Sequence, residues 1–153
     1  MTLPRIGLTV GDPAGIGPEI TEKAAADPRV LEVCQPVVYG PSFRGARLDY
    51  EPGVGSPEGG RLAYELIKKA AIDALEGRIE AITTAPINKA VWDRAGLSWR
   101  GHTDLLADVT GASNVAMMFY SEALRVVLAT VHVPLAEVPR RLTQERVEET
   151  VTL

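Results

Sequence analysis

Apolar runs of strand length alternate with helix-period patterns along most of this chain, the signature of an α/β fold. Ile6 to Val10 is an apolar run that stops at Gly11-Asp12-Pro13, and a helix opens near Pro18, where a first-turn proline forfeits no hydrogen bond. Val37 to Tyr39 reads as a second strand, and Gly40 to Gly55, rich in Gly, Pro and Arg without a period, as loop. Ser56 is placed to cap the next helix, with Pro57 at its first position and Gly77 at its end. Ala63, Leu66, Ile67, Ala70 and Ala74 form its apolar face, with Glu65, Lys69 and Asp73 opposite. Ala81 to Thr84 follows as a short buried strand, and a further helix starts near Asn88 and stops at Gly96.

Thr103 can cap a helix through Val109 that closes at Thr110-Gly111. Val115 to Tyr120 and Leu124 to Ala129 are separated only by Ser121, Glu122 and Ala123, a hairpin spacing rather than a βαβ crossover, so a mixed sheet with flanking helices is expected. Met117 and Met118 read there as core residues. From Thr143 an amphipathic helix begins, with Leu142, Val147 and Val151 on one side, and it reaches Leu153 without a stop signal, as if cut inside the helix. The pattern marks no internal domain boundary.

Composition narrows the function classes. A chain of 153 residues with 46% hydrophobic and 24% charged residues can bury a core and is expected to be folded. A net charge of −4, with no basic stripe interleaved with aromatics, argues against nucleic acid. Cys34 stands alone, excluding an internal disulfide and a cysteine zinc site, and no stretch approaches the roughly 20 apolar residues of a membrane helix. The opening apolar run is too short for a secretory signal, so a cytoplasmic location is expected.

Chemistry concentrates in turns. Gly11 to Glu19 sets three glycines and two prolines between a strand and a helix start, a place for a tight turn or a close anion; it has neither Walker nor GxGxxG spacing. The chain has two histidines: His102, in Gly101-His102-Thr103-Asp104, and His132, in Thr130-Val131-His132-Val133-Pro134-Leu135. An imidazole, a hydroxyl and helix-start N–H groups can converge on a polar or anionic ligand at His102 and Thr103. His132, just past an apolar run, falls at a strand end. Lys89 stands at a helix start in Thr83-Thr84-Ala85-Pro86-Ile87-Asn88-Lys89, where it could meet a phosphate or carboxylate, although a solvated lysine is the simpler reading. Asp12 and Glu19 could orient a cation or simply serve the turn and the helix dipole.

Gly11-Asp12-Pro13-Ala14-Gly15-Ile16-Gly17-Pro18-Glu19, Ser56-Pro57-Glu58-Gly59-Gly60, the Thr-Ala-Pro-Ile-Asn-Lys string and the two histidine strings, in this order, closely resemble the N-terminal part of the PdxA family of 4-hydroxythreonine-4-phosphate dehydrogenases. The opening loop is also similar to that of isocitrate and isopropylmalate dehydrogenases. The resemblance implies one lobe, 1–153, of a two-lobe enzyme of that fold, shortened around 41–55 and truncated at its C-terminus. It implies oxidation of 4-phosphooxy-L-threonine with NAD or NADP and a divalent cation such as zinc, magnesium or cobalt, followed by decarboxylation. His102 and Thr103 match the family's substrate-binding pair, and His132 matches one of three metal-binding histidines. Two more histidines and most dinucleotide contacts belong to a second lobe, so the isolated chain is expected to be inactive. A homodimer acting on a small phosphorylated hydroxy acid is implied, with phosphorylated threonate or erythronate as an alternative substrate. A non-catalytic remnant serving as a binding or assembly module is the competing reading.

Overall fold

The computed structural model describes residues 2–41 and 50–153 and divides into two compact units, Met1–Gly111 and Ala112–Leu153. Half of the loop expected over Gly40 to Gly55, residues 42–49, lies outside the described residues. No helix of the described residues is long and apolar enough to cross a membrane.

In the first unit β1 (Arg5–Thr9) lies between β2 (Gln35–Tyr39) and β3 (Ala81–Thr84), all parallel. Gly7 pairs with Val37 on one side and Ile82 on the other. Parallel strands need long crossovers. α1 (Gly17–Ala26) and α2 (Pro28–Leu31) fill the first, and α3 (Pro57–Leu75) the second. α4 (Lys89–Arg94) and α5 (His102–Thr110) follow. Local signals account for the helix ends: Ser56 Oγ accepts from the Gly59 N–H at 3.1 Å, Asn88 Oδ1 from the Val91 N–H at 3.3 Å, and Gly111 closes α5 in the left-handed region at φ 67°.

α3 serves two cores. Ala70 packs with Tyr39 and Ile79 toward the sheet, while Ile67 packs with Trp92 of α4 and Leu105 of α5. Burying α3 on both sides therefore sets α4 and α5 relative to the strands, because interiors pack with few voids.

The sequence pattern is corrected at four places. Asp73, expected on the solvent face of α3, is 6% exposed and accepts a hydrogen bond from the Tyr39 hydroxyl at 2.7 Å. β3 is not buried throughout; exposed and half-buried residues alternate along it, since it forms an edge of the three-stranded sheet. α5 is not capped by Thr103: its N-cap is Gly101, which has no side chain, and Thr103 sits inside the first turn. Met118 is exposed, not core.

In the second unit β4 (Met117–Tyr120) and β5 (Arg125–Leu128) form the expected antiparallel hairpin, with Met118 opposite Val127. Parallel and antiparallel pairings thus both occur, in two hydrogen-bonded sheets. A short 3₁₀ turn, α6 (Val138–Arg141) and α7 (Gln144–Thr152) complete the unit, and Thr143 Oγ1 caps α7 by accepting from the Arg146 N–H at 3.2 Å. Arg146 donates through Nε to the Ala129 carbonyl at 2.9 Å, tying α7 to the end of the hairpin.

Candidate functional site

The carboxyl ends of parallel strands are where open α/β sheets place their ligands. Here the loops after β1 and β3 meet. Asp12 N–H donates to the Pro86 carbonyl at 2.9 Å, and Ala85 N–H to the Thr9 carbonyl at 2.9 Å. The contact is so close that a Cβ on Gly11 would lie 2.2 Å from the Pro86 carbonyl oxygen, and Gly11 adopts φ 64°. A Cβ on Gly17 would lie 1.8 Å from the Val10 carbonyl oxygen. Gly11 and Gly17 of the opening string are accounted for by backbone packing, whereas a Cβ on Gly15 would come no closer than 3.4 Å to a neighbour. The acids of the string are also engaged locally: Asp12 Oδ1 accepts from the Ala14 N–H at 3.0 Å, an Asx turn, and Glu19 pairs with Lys23 across one helical turn at 2.7 Å.

The segments that flank the second and third strings meet as well, since Arg94 of α4 donates to the Gly55 carbonyl at 2.8 Å just ahead of the Ser56 cap. The loop from Ala85 to Asn88 thereby delivers Lys89 to the first position of α4, where its side chain is exposed.

Lys89 meets the fourth string. A Cβ built on Gly101 would lie 3.5 Å from Lys89 Cε and 3.9 Å from Nζ. His102 follows as the first residue of α5, half-buried, its ring 6.4 Å from that of Trp92 at a tilt of 59°. Its Nε2 is buried without a hydrogen-bond partner. Burial first, and the nearby Lys89 ammonium second, hold the imidazole below its ordinary pKa and so favour its neutral form. Thr103, beside it, is exposed. The structure thus brings Lys89, His102 and Thr103 to adjoining helix starts. Lys89 is the residue that sequence reasoning left in the background: its helix-start position was legible, but its neighbour Gly101 stands on a different element.

His132 belongs to the second unit. It is exposed in the bend after β5 and adopts φ 53°, the one non-glycine residue with positive φ among those described. Left-handed backbone outside glycine is uncommon and clusters at functional positions. Among the described residues no group of three His, Cys, Asp or Glu side chains is arranged to hold a metal ion. Among the described residues His132 thus has no partners with which to form a metal site.

A cavity of about 220 Å³ lies between α1 and the strands, lined by aliphatic groups such as Leu8, Ile20 and Ala24 and by threonines including Thr9 and Thr83. It contains no titratable side chain and offers no acid–base chemistry.

Comparison with known proteins decides the lineage of this arrangement. The family model described as "Pyridoxal phosphate biosynthetic protein PdxA" matches residues 15–153. The chain belongs to the PdxA family. A 4-hydroxythreonine-4-phosphate dehydrogenase of Desulforapulum autotrophicum is 37% identical over 188 residues, covering 98% of this chain and 55% of that protein. A relative from Symbiobacterium thermophilum, provisionally named as a D-threonate 4-phosphate dehydrogenase, is 33% identical, over 95% of this chain and 55% of that protein. The crystal structure of a 4-hydroxythreonine-4-phosphate dehydrogenase from Burkholderia phymatum superposes with a TM-score of 0.85 at 30% identity, covering 99% of this chain and 57% of that one. The chain spans about half the length of these PdxA relatives. In the Desulforapulum comparison, 188 matched residues against a chain of 153 leave at least 35 for which this chain has no counterpart.

Proposed function

We propose that this chain is the N-terminal lobe of a PdxA-type dehydrogenase of the isocitrate and isopropylmalate dehydrogenase-like fold, with 4-phosphooxy-L-threonine as substrate. The carrying observation is the half-buried His102 at the start of α5, its Nε2 lacking a partner, inside a string that resembles the family's substrate-binding pair. His102 and Thr103 bind the substrate in this reading. When bound, NAD or NADP would accept the C3 hydrogen as hydride while the hydroxyl proton passes to solvent, which would give a 3-oxo acid. Loss of CO₂ from that acid, with a proton taken up at C2, would leave 3-amino-2-oxopropyl phosphate.

A divalent cation fits such chemistry, and the family string assigns His132 as one ligand. The described residues do not complete a metal centre around it. No step is therefore routed through a metal in this chain, and the chain alone is inactive in this reading. The stretch around 41–55 is shorter than the family's, a reading supported by the unmatched residues of the relatives. Exposed Met118 and Tyr120, which share one face of β4, support a homodimer in the full-length enzyme, because exposed apolar surface marks contact sites. A cytoplasmic location fits a metabolic enzyme.

The Symbiobacterium relative favours a second reading, in which phosphorylated threonate is the substrate. One titration separates them. The purified chain is expected to bind 4-phosphooxy-L-threonine more tightly than D-threonate 4-phosphate, and His102→Ala to weaken that binding about tenfold by removing one contact. No reduced nicotinamide is expected when NAD or NADP and a divalent metal are added. Tighter binding of the threonate ester would transfer the assignment to the second substrate, and metal-dependent turnover by the chain alone would overturn the lobe reading.

A further inference from the structure

We propose that Lys89 is a further substrate-recognition residue: its ammonium, held against the first turn of α5 beside His102, binds an anionic group of the ligand, a carboxylate or a phosphate ester. The identity of that ligand rests on the PdxA-type reading above; the charge arrangement does not.

Three observations converge. Lys89 Cε and Nζ lie 3.5 Å and 3.9 Å from where a Cβ on Gly101 would stand, so the lysine runs along the N-cap of α5. The N-terminus of a helix carries partial positive charge, and a cation there is disfavoured. Among the described residues no carboxylate forms an ion pair with Lys89. The acid in the first turn of α5, Asp104, is engaged instead with the Arg100 N–H at 3.2 Å. Two positive features thus stand side by side at the starts of α4 and α5, an arrangement that favours an incoming anion. The buried, unpartnered Nε2 of His102 is a second sign of an incomplete polar site, since buried polar atoms are nearly always paired.

The effect of Lys89 on His102 supplies a reporter. Burial and the Lys89 charge both oppose protonation of the imidazole, so removing the charge raises the pH at which His102 titrates. A lysine that merely points into solvent would leave that titration unmoved.

The test uses the full chain as wild type, Lys89→Gln and Lys89→Arg, with an amide spectrum confirming the fold of each. Three probes are titrated: 4-phosphooxy-L-threonine, 4-hydroxy-L-threonine and inorganic phosphate. His102 and His132 are followed by imidazole proton resonances and told apart with His132→Asn. Lys89→Gln is expected to lower affinity for 4-phosphooxy-L-threonine about tenfold, as loss of a charged hydrogen bond does, and to raise the His102 titration, while Lys89→Arg restores both. A loss confined to the phosphorylated probe and phosphate assigns Lys89 to the phosphate, and a loss shared with 4-hydroxy-L-threonine assigns it to the carboxylate. Unchanged affinity and unchanged His102 titration in Lys89→Gln overturn the proposal, as does a wild-type chain that binds none of the three. If phosphate binds in a Lys89-dependent way and 4-phosphooxy-L-threonine does not, Lys89 keeps its role and the substrate reading falls.

Discussion

Gly11 carries two constraints at once, and each would suffice to exclude a side chain. Its φ of 64° costs a residue with a Cβ about 1–2 kcal/mol, and that Cβ would sit 2.2 Å from the Pro86 carbonyl oxygen. Backbone cannot retreat there, because the neighbouring Asp12 N–H is bonded to the same carbonyl. Gly11→Ala is therefore expected to lower stability by well over the φ penalty alone and to disturb the adjoining Ala85 to Asn88 loop. Chemical denaturation should show the lost stability, and amide shifts should spread to Ala85 and Asn88; a variant with wild-type stability and unshifted amides would mean that the two loops are not in this contact. The glycines of the opening string were legible in the sequence as marks of a tight turn. What they approach was not, because Pro86 lies on another element and no local period connects the two.

On α3, periodicity read the apolar stripe correctly and misjudged one residue on the opposite side. Ala63, Ile67 and Ala70 are buried as their spacing predicts, yet Asp73 is buried too. A polar residue can be buried when its partners come with it. Tyr39 from β2 donates to Asp73 at 2.7 Å, Arg78 donates through Nε at 2.8 Å, and Lys69 adds an ion pair from one turn back. Two of these partners lie outside the helix, so a pattern confined to α3 could not show the burial. The Lys69 hydrogen bond, ahead of Tyr39 and Arg78, outweighs desolvation and holds the Asp73 carboxyl below its ordinary 3.8. Burial, with the bond to Asp73, pushes the Tyr39 phenol up to about 12. Asp73→Ala leaves the Tyr39 hydroxyl buried without an acceptor and is expected to cost about 1–3 kcal/mol in denaturant unfolding. The sign of the pH effect follows from a depressed folded pKa: the contribution is present above the unfolded value near 4 and is lost as pH falls through the folded one. Wild type should therefore lose stability over that acid range more steeply than Asp73→Asn, which keeps an acceptor for Tyr39 but has no charge to lose. Parallel acid profiles for the two proteins would show that the charge of Asp73 contributes nothing. The same locality explains the mistaken Thr103 cap: a threonine at a helix start is a strong capping signal, but the helix begins one residue earlier, at His102.

At the scale of the molecule, burial is divided unequally between the two units. Every fully buried side chain lies in the first unit, where the clusters around Ala70 and around Ile67 share α3; none of residues 112–153 is buried. The hairpin spacing was readable in the sequence, and so was the capped α7, but apolar residues on a strand do not say whether anything covers them. Met118, Phe119, Tyr120 and Leu124 remain 52–67% exposed. An isolated two-stranded hairpin is marginal in water, and segments of about 40 residues without a disulfide or metal rarely fold alone. The second unit has neither a cysteine nor, among the described residues, a metal-binding cluster. Residues 1–111 made as a separate fragment are therefore expected to keep a cooperative thermal transition and the high-field methyl shifts of a packed core around Trp92. Residues 112–153 made alone are expected to show neither a cooperative transition nor dispersed amide resonances. Calorimetry and proton–nitrogen spectra of the two fragments check this directly. A sharp transition in the 112–153 fragment at micromolar concentration would mean that the hairpin and α7 bury more of their apolar surface than the exposure of β4 indicates. Failure of the 1–111 fragment to fold would mean that the two cores joined by α3 do not suffice to hold the lobe that carries Lys89 and His102.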